Sequence, residues 1–430
     1  MNSTIDSRNT TAPAARPAVV LGLHILVMLV YSLLFANVFW LMPLLVRLYF
    51  GSDNLDTRDW QTTLVTAAVP TFMMGSIFWA ELLRRVRLRT YLAIFWLTAA
   101  LPLACVALAQ NYGQFLACHL IAAAGTASWN PLFGRLLKHF YSDAIRGRAY
   151  ALLNAIGLGG SVAAIYAVGK WVEAHPDAFR IFFPAAAGLQ LLGMAVLLWL
   201  SRMTKADAKP RETAVGSWKI PLDAVLHMGR VLRADRTFLR YEIAFMTYGI
   251  AFMFCDALLP VLATAKLGMR YEDYAHSTQM VEKIARLTLT LPMGLLLDRI
   301  GPVRTSGLGF AILGLYPVAL LLAGSPTGIA FASIFYGAGL AAVTMGWMLG
   351  PVALAGSPDK VPQYVAIHAT LVGVRGVLFQ GFGMLLYKTS GTFLLPLGLG
   401  AMLFVAAALQ MRALAVRLRG VTTAGTRAAG

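Results

Sequence analysis

Charged residues are scarce in this chain. Asp, Glu, Lys and Arg make up 13% of its 430 residues, whereas hydrophobic residues make up 58%. Soluble domains usually carry about 25% charged residues, so the composition excludes an ordinary soluble fold. Cysteine is also rare: Cys105, Cys118 and Cys255 all lie in apolar segments and lack metal-ligand spacing. The sequence therefore predicts small buried cysteines and no metal site.

Motifs of conventional enzymes and ATP-driven pumps are missing from the sequence. It contains no P-loop, nucleophile triad, metal cluster or dinucleotide fingerprint. The run GLGGS at 157–161 lies inside an apolar segment, whereas a phosphate loop lies between a strand and a helix. The prediction is a protein that is not an enzyme and uses no cofactor.

Long apolar segments take up most of the chain. A helix needs about 20 mainly apolar residues to cross a bilayer, and these segments lack the alternation of barrel strands. We predict an all-α integral membrane protein with twelve transmembrane helices. The segments are 17–45, 60–82, 91–110, 113–137, 149–171, 179–201, 240–264, 275–297, 304–324, 327–355, 362–387 and 391–412.

The formal charge of +17 is distributed unevenly between the two sides of the predicted membrane. Most Lys and Arg residues fall on the side of the termini. The positive-inside rule then predicts cytoplasmic termini, in the inner or plasma membrane of a cell. This asymmetry accounts for the charge better than nucleic-acid binding does. The basic residues on the opposite side are Arg47, Arg58, Lys170, Arg180, Lys266, Arg270 and Lys388.

A polar segment divides the predicted helices six against six. Leu222, Val225, Leu226, Met228 and Val231 recur within it at helical spacing, which indicates a short amphipathic helix. The predicted domains are a disordered cytoplasmic tail at 1–16, a six-helix bundle at 17–201, a cytoplasmic linker at 202–239, a second six-helix bundle at 240–413 and a basic tail at 414–430.

The two halves share weak internal similarity. Glu81 and Asp298 each end an apolar segment, and an arginine, Arg87 or Arg304, follows six residues later. Asn130-Pro131 and Gly350-Pro351 form another pair at nearly the same separation. These matches predict two six-helix pseudo-repeats.

The loop of the second half resembles a signature of the major facilitator superfamily, roughly G-x-x-x-D-R-x-G-x-x-R. The matching residues are Gly294, Asp298, Arg299, Gly301 and Arg304. The first half keeps only Glu81 and Arg87, because Ile77 and Arg84 replace the glycines. The resemblance implies ion pairs that hold the cytoplasmic side closed in one state; the alternative is solvated charges beside helix ends. The family's drug/proton antiporter motifs are absent from the fourth and fifth predicted helices.

Ionisable residues within the predicted helices concentrate in the second half. Such residues are costly in a membrane and usually face a bundle interior or a cavity. At 1.5 Å per residue they all come within about two helical turns of one level. Glu242 lies nearer the predicted cytoplasmic end. The central set is Asp256, Glu282, Lys283, Arg286 and Arg375.

Two hypotheses account for this set. In one, Arg375 with Arg286 or Lys283 binds an anionic group of a substrate, and Asp256 or Glu282 carries a coupling proton. In the other, Arg375 pairs with Asp256 or Glu282 to pack helices. Tyr364, His368 and Arg375 share one face of their helix, and His368 and His119 are either proton relays or packing residues.

The predicted function is secondary transport of a small solute by rocker-switch alternating access, in which two repeats rock around a midplane site. An organic anion carried by a proton symporter is the favoured case. The predicted partners are the substrate, a proton or other ion and the lipid bilayer, with no nucleic acid, and the chain is predicted to be monomeric. The alternatives are a receptor or assembly factor with this fold, or a lipid-handling protein.

Overall fold

The computed structural model describes residues 17–33, 38–141, 143–204, 228–355 and 360–428, and within them the regular elements are helices. A short helical segment at 228–234 precedes α11. The α-helices are α1 (Pro17–Tyr31), α2 (Leu41–Leu45), α3 (Leu55–Phe72), α4 (Ser76–Arg85), α5 (Leu88–Phe95), α6 (Leu101–Cys105), α7 (Tyr112–Thr126), α8 (Trp129–Phe140), α9 (Asp143–Ala174), α10 (Phe179–Met203), α11 (Arg236–Val261), α12 (Tyr271–Tyr274), α13 (Val281–Ile300), α14 (Pro302–Leu322), α15 (Pro326–Leu354), α16 (Val361–Ser390) and α17 (Leu394–Ala428).

Eight helical stretches within the described residues are long and apolar enough to cross a membrane. This confirms a multi-pass membrane protein, while the predicted number of twelve crossings stays a prediction. The stretches are Leu88–Leu108, Ala149–Ala174, Pro176–Met203, Arg236–Lys266, Pro302–Leu322, Pro326–Leu354, Ile367–Ser390 and Leu394–Arg419.

The other predicted crossings are interrupted or carry charge. A 3₁₀ turn at Met73–Gly75 joins α3 to α4, next to Pro70, and a turn separates α7 from α8. The α13 helix begins with Glu282 and Lys283 and ends with Asp298 and Arg299. Irregular or charged backbone of this kind at membrane depth needs protein around it or a water-filled cavity beside it.

The prediction of a single first helix over 17–45 is wrong. Residues 34–37 lie outside the described part, Phe39 and Trp40 form a turn, and α2 begins at Leu41. Pro43 suits the first turn of a helix, where its missing N–H costs no hydrogen bond. The turn brings the rings of Phe39 and Trp40 into the interior of the protein.

Most close packing lies within each half of the chain. In the first half α1 packs on α9 and α10, and α3 packs on α7. In the second half α14 packs on α15 and α17, and α11 packs on α16 and α17. The halves meet where α16 packs on α3 and where α9 packs on α12 and α13. Fully buried aromatic rings, including Phe115, Phe183, Phe245 and Phe310, fill both cores.

The predicted tail and linker segments are described only in part. The linker positions Leu222, Val225 and Leu226, like the tail at 1–16, lie outside the described residues, whereas Met228 and Val231 belong to the helical segment 228–234. The α17 helix runs to Ala428, well past residue 412, where the last apolar segment ends. The Ala, Leu and Arg residues at 413–419 are good helix formers, which favours continuation of the helix past the apolar segment.

Candidate functional site

A central cavity of about 330 Å³ lies where helices of the two halves meet. Its walls come from the α1–α2 turn, α3 and α7 on one side, and from α11, α12, α14 and α15 on the other. Four polar side chains reach it: Thr66, His119, Asp256 and Gln279. The aromatic lining residues are Phe39, Trp40, Phe252, Tyr274, Tyr316 and Tyr336. A mainly apolar pocket with few polar groups is typical of small-molecule sites.

Asp256 is the carboxylate of this cavity. It lies on α11, one turn before Pro260, and its Oδ2 accepts a hydrogen bond of 2.8 Å from Gln380 Nε2 on α16. No Lys, Arg or His among the described residues forms an ion pair with it. The predicted site residue Asp256 is therefore in the cavity without a counter-charge from the protein.

His119 lines the cavity from α7, on the wall that the first half forms. Its Nε2 donates to the carbonyl oxygen of Val65 on α3 at 2.9 Å, which fixes the tautomer. The Nδ1 atom is buried and has no hydrogen-bond partner among the described residues. The ring stacks on Phe115, with centroids 6.2 Å apart. The structure therefore places a second predicted site residue at the cavity.

A π-helical turn at Ala275–Met280 carries Gln279 into the cavity. The short helix α12, which directly precedes this turn, is bonded to the first half through Glu173 of α9. Its carboxylate accepts from Tyr271 N at 2.9 Å and from Arg270 Nε at 2.6 Å. Single π turns in helices often occur at functional sites.

Glu282, Lys283 and Arg286 form a cluster of their own on α13. Glu282 is buried, and its carboxylate lies 3.2 Å from Lys283 Nζ and 3.7 Å from Arg286 Nη1. None of the three lines the cavity; Lys283 is adjacent to it through a hydrogen bond of 3.3 Å to Gln279. The cluster therefore lies beside the cavity, and both of its basic side chains contact the Glu282 carboxylate.

A polar seam runs between α11 and α16. We use this name for four contacts: Tyr364 with Asp235, His368 with Glu242, Arg375 with the α11 backbone, and Gln380 with Asp256. The Tyr364 hydroxyl donates to Asp235 Oδ2 at 2.8 Å. His368 Nδ1 lies 2.9 Å from both carboxylate oxygens of Glu242, with side chains only 2% and 3% exposed. The predicted stripe on α16 thus faces α11.

Arg375 does not pair with Asp256 or Glu282, so that part of the sequence prediction is wrong. Its Nη1 donates to the carbonyl oxygen of Phe245 at 2.7 Å, and its guanidinium carbon lies 5.1 Å from the ring centroid of Tyr248. Its Nε has no hydrogen-bond partner among the described residues. Gly249 makes this position possible, because a Cβ there would collide with the Arg375 side chain. The guanidinium is held at the level of Phe245 and Tyr248 on α11, so its contacts are with a carbonyl oxygen and a ring instead of either carboxylate.

An ionic latch joins the two halves at the predicted outer end. It consists of Arg47, Asp56, Asp59 and Lys388. Arg47 and Lys388 both contact the carboxylate of Asp59, which is buried, and Lys388 Nζ lies 2.6 Å from Asp56 Oδ1. Arg47 Nε also donates to Thr264 Oγ1 on the second half at 2.8 Å. Charged hydrogen bonds of this kind are stronger than neutral ones.

The predicted gating residues lie at the opposite end. Glu81 is buried and bonds Arg85 of its own helix at 2.8 Å, while Arg87 is exposed. Asp298 and Arg299 are exposed, and Asp298 makes no ion pair with any described residue. Gly301 ends α13 with φ of 79°, a conformation that favours glycine, and Arg304 lies on the next helix. Gly294 would meet only Met345 if it carried a Cβ.

Sequence reasoning missed Gln380 and Gln279, and it noted Glu242 without assigning it a partner. Gln380 and Gln279 are neutral, and neutral polar residues in apolar helices attract little notice. Glu242 carried a usable signal, an acidic residue seven positions before Gly249 in an apolar helix. Its partner His368 is on another helix, so the pair emerges only from the packing.

Comparisons with known proteins agree with this architecture. The sequence model described as "Major Facilitator Superfamily" matches residues 24–281. Comparison with curated protein sequences gives no match. Among solved structures, the nucleoside transporter NupG is similar with a TM-score of 0.67 and 15% identity, covering 92% of this chain and 99% of that one.

Two peptide-transporter structures are also similar. A POT family transporter in complex with 5-aminolevulinic acid has a TM-score of 0.69 and 13% identity, covering 93% of this chain and 95% of that one. The peptide transporter POT in complex with sulfate has a TM-score of 0.70 and 13% identity, covering 93% and 94%. At such low identity these similarities show the fold. With the match over residues 24–281, they establish that the chain belongs to the Major Facilitator Superfamily, whose members are transporters.

Proposed function

We propose that the protein is a secondary active transporter that moves a small solute by alternating access. The observation that carries the proposal is the central cavity, which takes its walls from both halves of the chain and holds a carboxylate that no described residue neutralises. Uncompensated ionisable groups at membrane depth mark transport sites by default. In transporters built from two repeats, the substrate site lies at the interface between them.

Alternating access needs contacts between the halves that form at one end while the other end opens. The ionic latch is such a contact at the predicted outer end, and the Arg270–Glu173 pair is another. At the opposite end Asp298 is exposed and makes no ion pair with any described residue. The contacts at the outer end support a conformation closed on the outer side.

The proposed roles follow from position. Asp256 and His119 contact the substrate in the cavity. Glu242 and His368 carry the coupling proton of a symporter, because the two side chains are buried, lie 2.9 Å apart and belong to the residue types that exchange protons in transporters. The groups facing this pair are Tyr241, Phe245 and Trp347, and Arg375 lies two helical turns away on α16. Lys283 and Arg286 remain in contact with Glu282 and contribute to the electrostatic potential beside the cavity.

The test is transport by the purified protein in proteoliposomes. Compounds from a metabolite library are first ranked by thermal stabilisation, since a ligand of the native state raises apparent stability. Each stabilising compound is then assayed for counterflow and for uptake driven by an imposed pH gradient. We expect at least one to accumulate above empty liposomes. Stabilisation without counterflow of any compound would indicate a receptor, and scrambling of labelled lipid would indicate a lipid-handling protein.

A further inference from the structure

The charge of the central cavity bears on what it binds, granted the transport function proposed above. Among the described lining residues Asp256 carries a formal negative charge, and no lysine or arginine is present. The nearby basic groups are already engaged. Lys283 and Arg286 lie on Glu282, and Arg375 lies on the Phe245 carbonyl and the Tyr248 ring. An anion entering the cavity would meet the Asp256 carboxylate, while the basic side chain of the described lining, His119, already donates to the Val65 carbonyl oxygen.

The cavity walls present aromatic faces in two groups. Trp40 and Tyr274 stack across the two halves with centroids 6.5 Å apart. Phe252 and Tyr316 both contact the ring of Tyr336, at 5.8 and 4.6 Å. The faces of such rings are electron-rich and attract cations within about 6 Å of the centroid. Aromatic walls and an acid together are the chemistry that recognises an organic ammonium group.

We propose that the cavity binds a small organic monocation with an aromatic or other apolar body. Its ammonium group lies against Asp256, whose Oδ1 can accept from it because Gln380 bonds only Oδ2. Its apolar body lies between the aromatic faces. The volume of about 330 Å³ is near the lower limit for ligand pockets, which suits a compound of one ring and a short chain. This differs from the organic anion that the sequence suggests.

Three probes of nearly equal size and different charge test this directly: phenethylamine, 2-phenylethanol and phenylacetate. Binding of each to purified protein is measured by thermal shift and by displacement of tritiated phenethylamine. We expect phenethylamine to bind at least about tenfold more tightly than either analogue. In Asp256→Asn this preference should disappear, because the amide still accepts from Gln380 and the charge is lost. The matched control is Asp273→Asn, which removes an exposed acid outside the cavity and should keep the preference.

A second pair of variants covers the case in which Asp256→Asn does not fold. Trp40→Leu should weaken phenethylamine binding more than Trp40→Phe does, with the binding of 2-phenylethanol changed equally by both. Tighter binding of phenylacetate, or equal binding of all three probes, overturns the proposal, and so does absence of binding by all three. The metabolite counterflow assay is independent of this result. A chain that passes it while preferring phenylacetate is a transporter whose substrate is an anion.

Discussion

At the scale of single residues, the protein controls its buried charges by giving each a different environment. Asp256 has an amide and a cavity, Arg375 has a carbonyl oxygen and an aromatic face, and Glu242 has His368. Removing one partner of a buried charged contact usually costs more than the contact is worth, because the other is left unpaired. Substitutions at these positions therefore have distinct signatures.

Gly249→Ala tests the fit between Arg375 and α11. The added methyl group overlaps the guanidinium, so the side chain has to move and the variant should lose about 1–3 kcal/mol of stability. The measurement is thermal unfolding in detergent. Gly398→Ala is the control, since a Cβ there has nothing within 4 Å. Equal melting temperatures for both variants would show that Arg375 does not occupy this position.

His368→Gln and Glu242→Gln test the proposed proton site. Each variant keeps a polar side chain and loses the shared proton, so uptake driven by a pH gradient should fall at least about tenfold. Counterflow needs no net proton movement and should remain. His139→Gln, which alters an exposed histidine, should behave like the unmodified protein. If gradient-driven uptake and counterflow fall together, the pair is structural.

At the scale of elements, the polar seam joins α11 and α16, and these helices also form walls of the interface between the halves. Gly373 and Gly376 of α16 face Met74 and Pro70 of the first half, and a Cβ at either glycine would be too close to those residues. Small residues allow close helix packing in membranes. The seam thus faces one way, toward α11, while the glycines face the first half.

Arg375→Lys tests how the seam holds α11. A lysine keeps the charge, but one ammonium group cannot reach the Phe245 carbonyl and lie flat on the Tyr248 ring together. We expect a loss of about 1.5–3 kcal/mol, the range for hydrogen bonds to charged groups. The measurement is thermal unfolding, with counterflow assayed in parallel. Unchanged stability with abolished counterflow would instead assign Arg375 to substrate binding.

The sequence was a good guide to helices and a poor one to their interruptions. Apolar length identifies α9, α10, α11, α14 and α15, because bilayer thickness fixes how long such a run is. The breaks at Phe39–Trp40 and Met73–Gly75 leave the apolar composition unchanged and so give no signal. The segment Ala275–Met280 contains polar residues, but polarity alone does not indicate a π turn.

The candidate site was predictable to a similar degree. Placing an ionisable side chain in a membrane costs free energy, and this argument identified Asp256 and His119, which both line the cavity. The same argument gave wrong partners for Arg375, since depth along a helix says nothing about which way a side chain points. Arg47 and Lys388 were counted as flanking charges, because their shared contact with Asp59 depends on how the two halves pack.

At the scale of the whole molecule, the ionic latch connects the two halves at the predicted outer end. The ionic latch is partly buried and contains two acids and two bases, so its charges are balanced within the protein. Opening the outer end exposes these groups to water, which recovers much of their solvation. Such a latch can separate at modest cost, as a transport cycle needs.

Lys388→Met tests the latch. Loss of the ammonium leaves Asp56 and Asp59 with less opposing charge across the interface, so the outer end should open more often. The readout is labelling of Thr66→Cys, a cavity position, by a membrane-impermeant maleimide, after the three native cysteines are replaced by serine. We expect labelling to rise several-fold. Arg58→Met is the control because the Arg58 contacts lie within one half; equal labelling in both variants would contradict a latch.

The contact between Arg375 and Gly249 also limits how this protein can evolve. The guanidinium fills the volume that a side chain at position 249 would need, so residue 249 cannot become larger while Arg375 keeps this position. Among related chains, an arginine on this helix should be inherited together with a glycine opposite it. A lineage that loses the arginine gains room for a larger residue on the facing helix, and the two substitutions should appear as a pair.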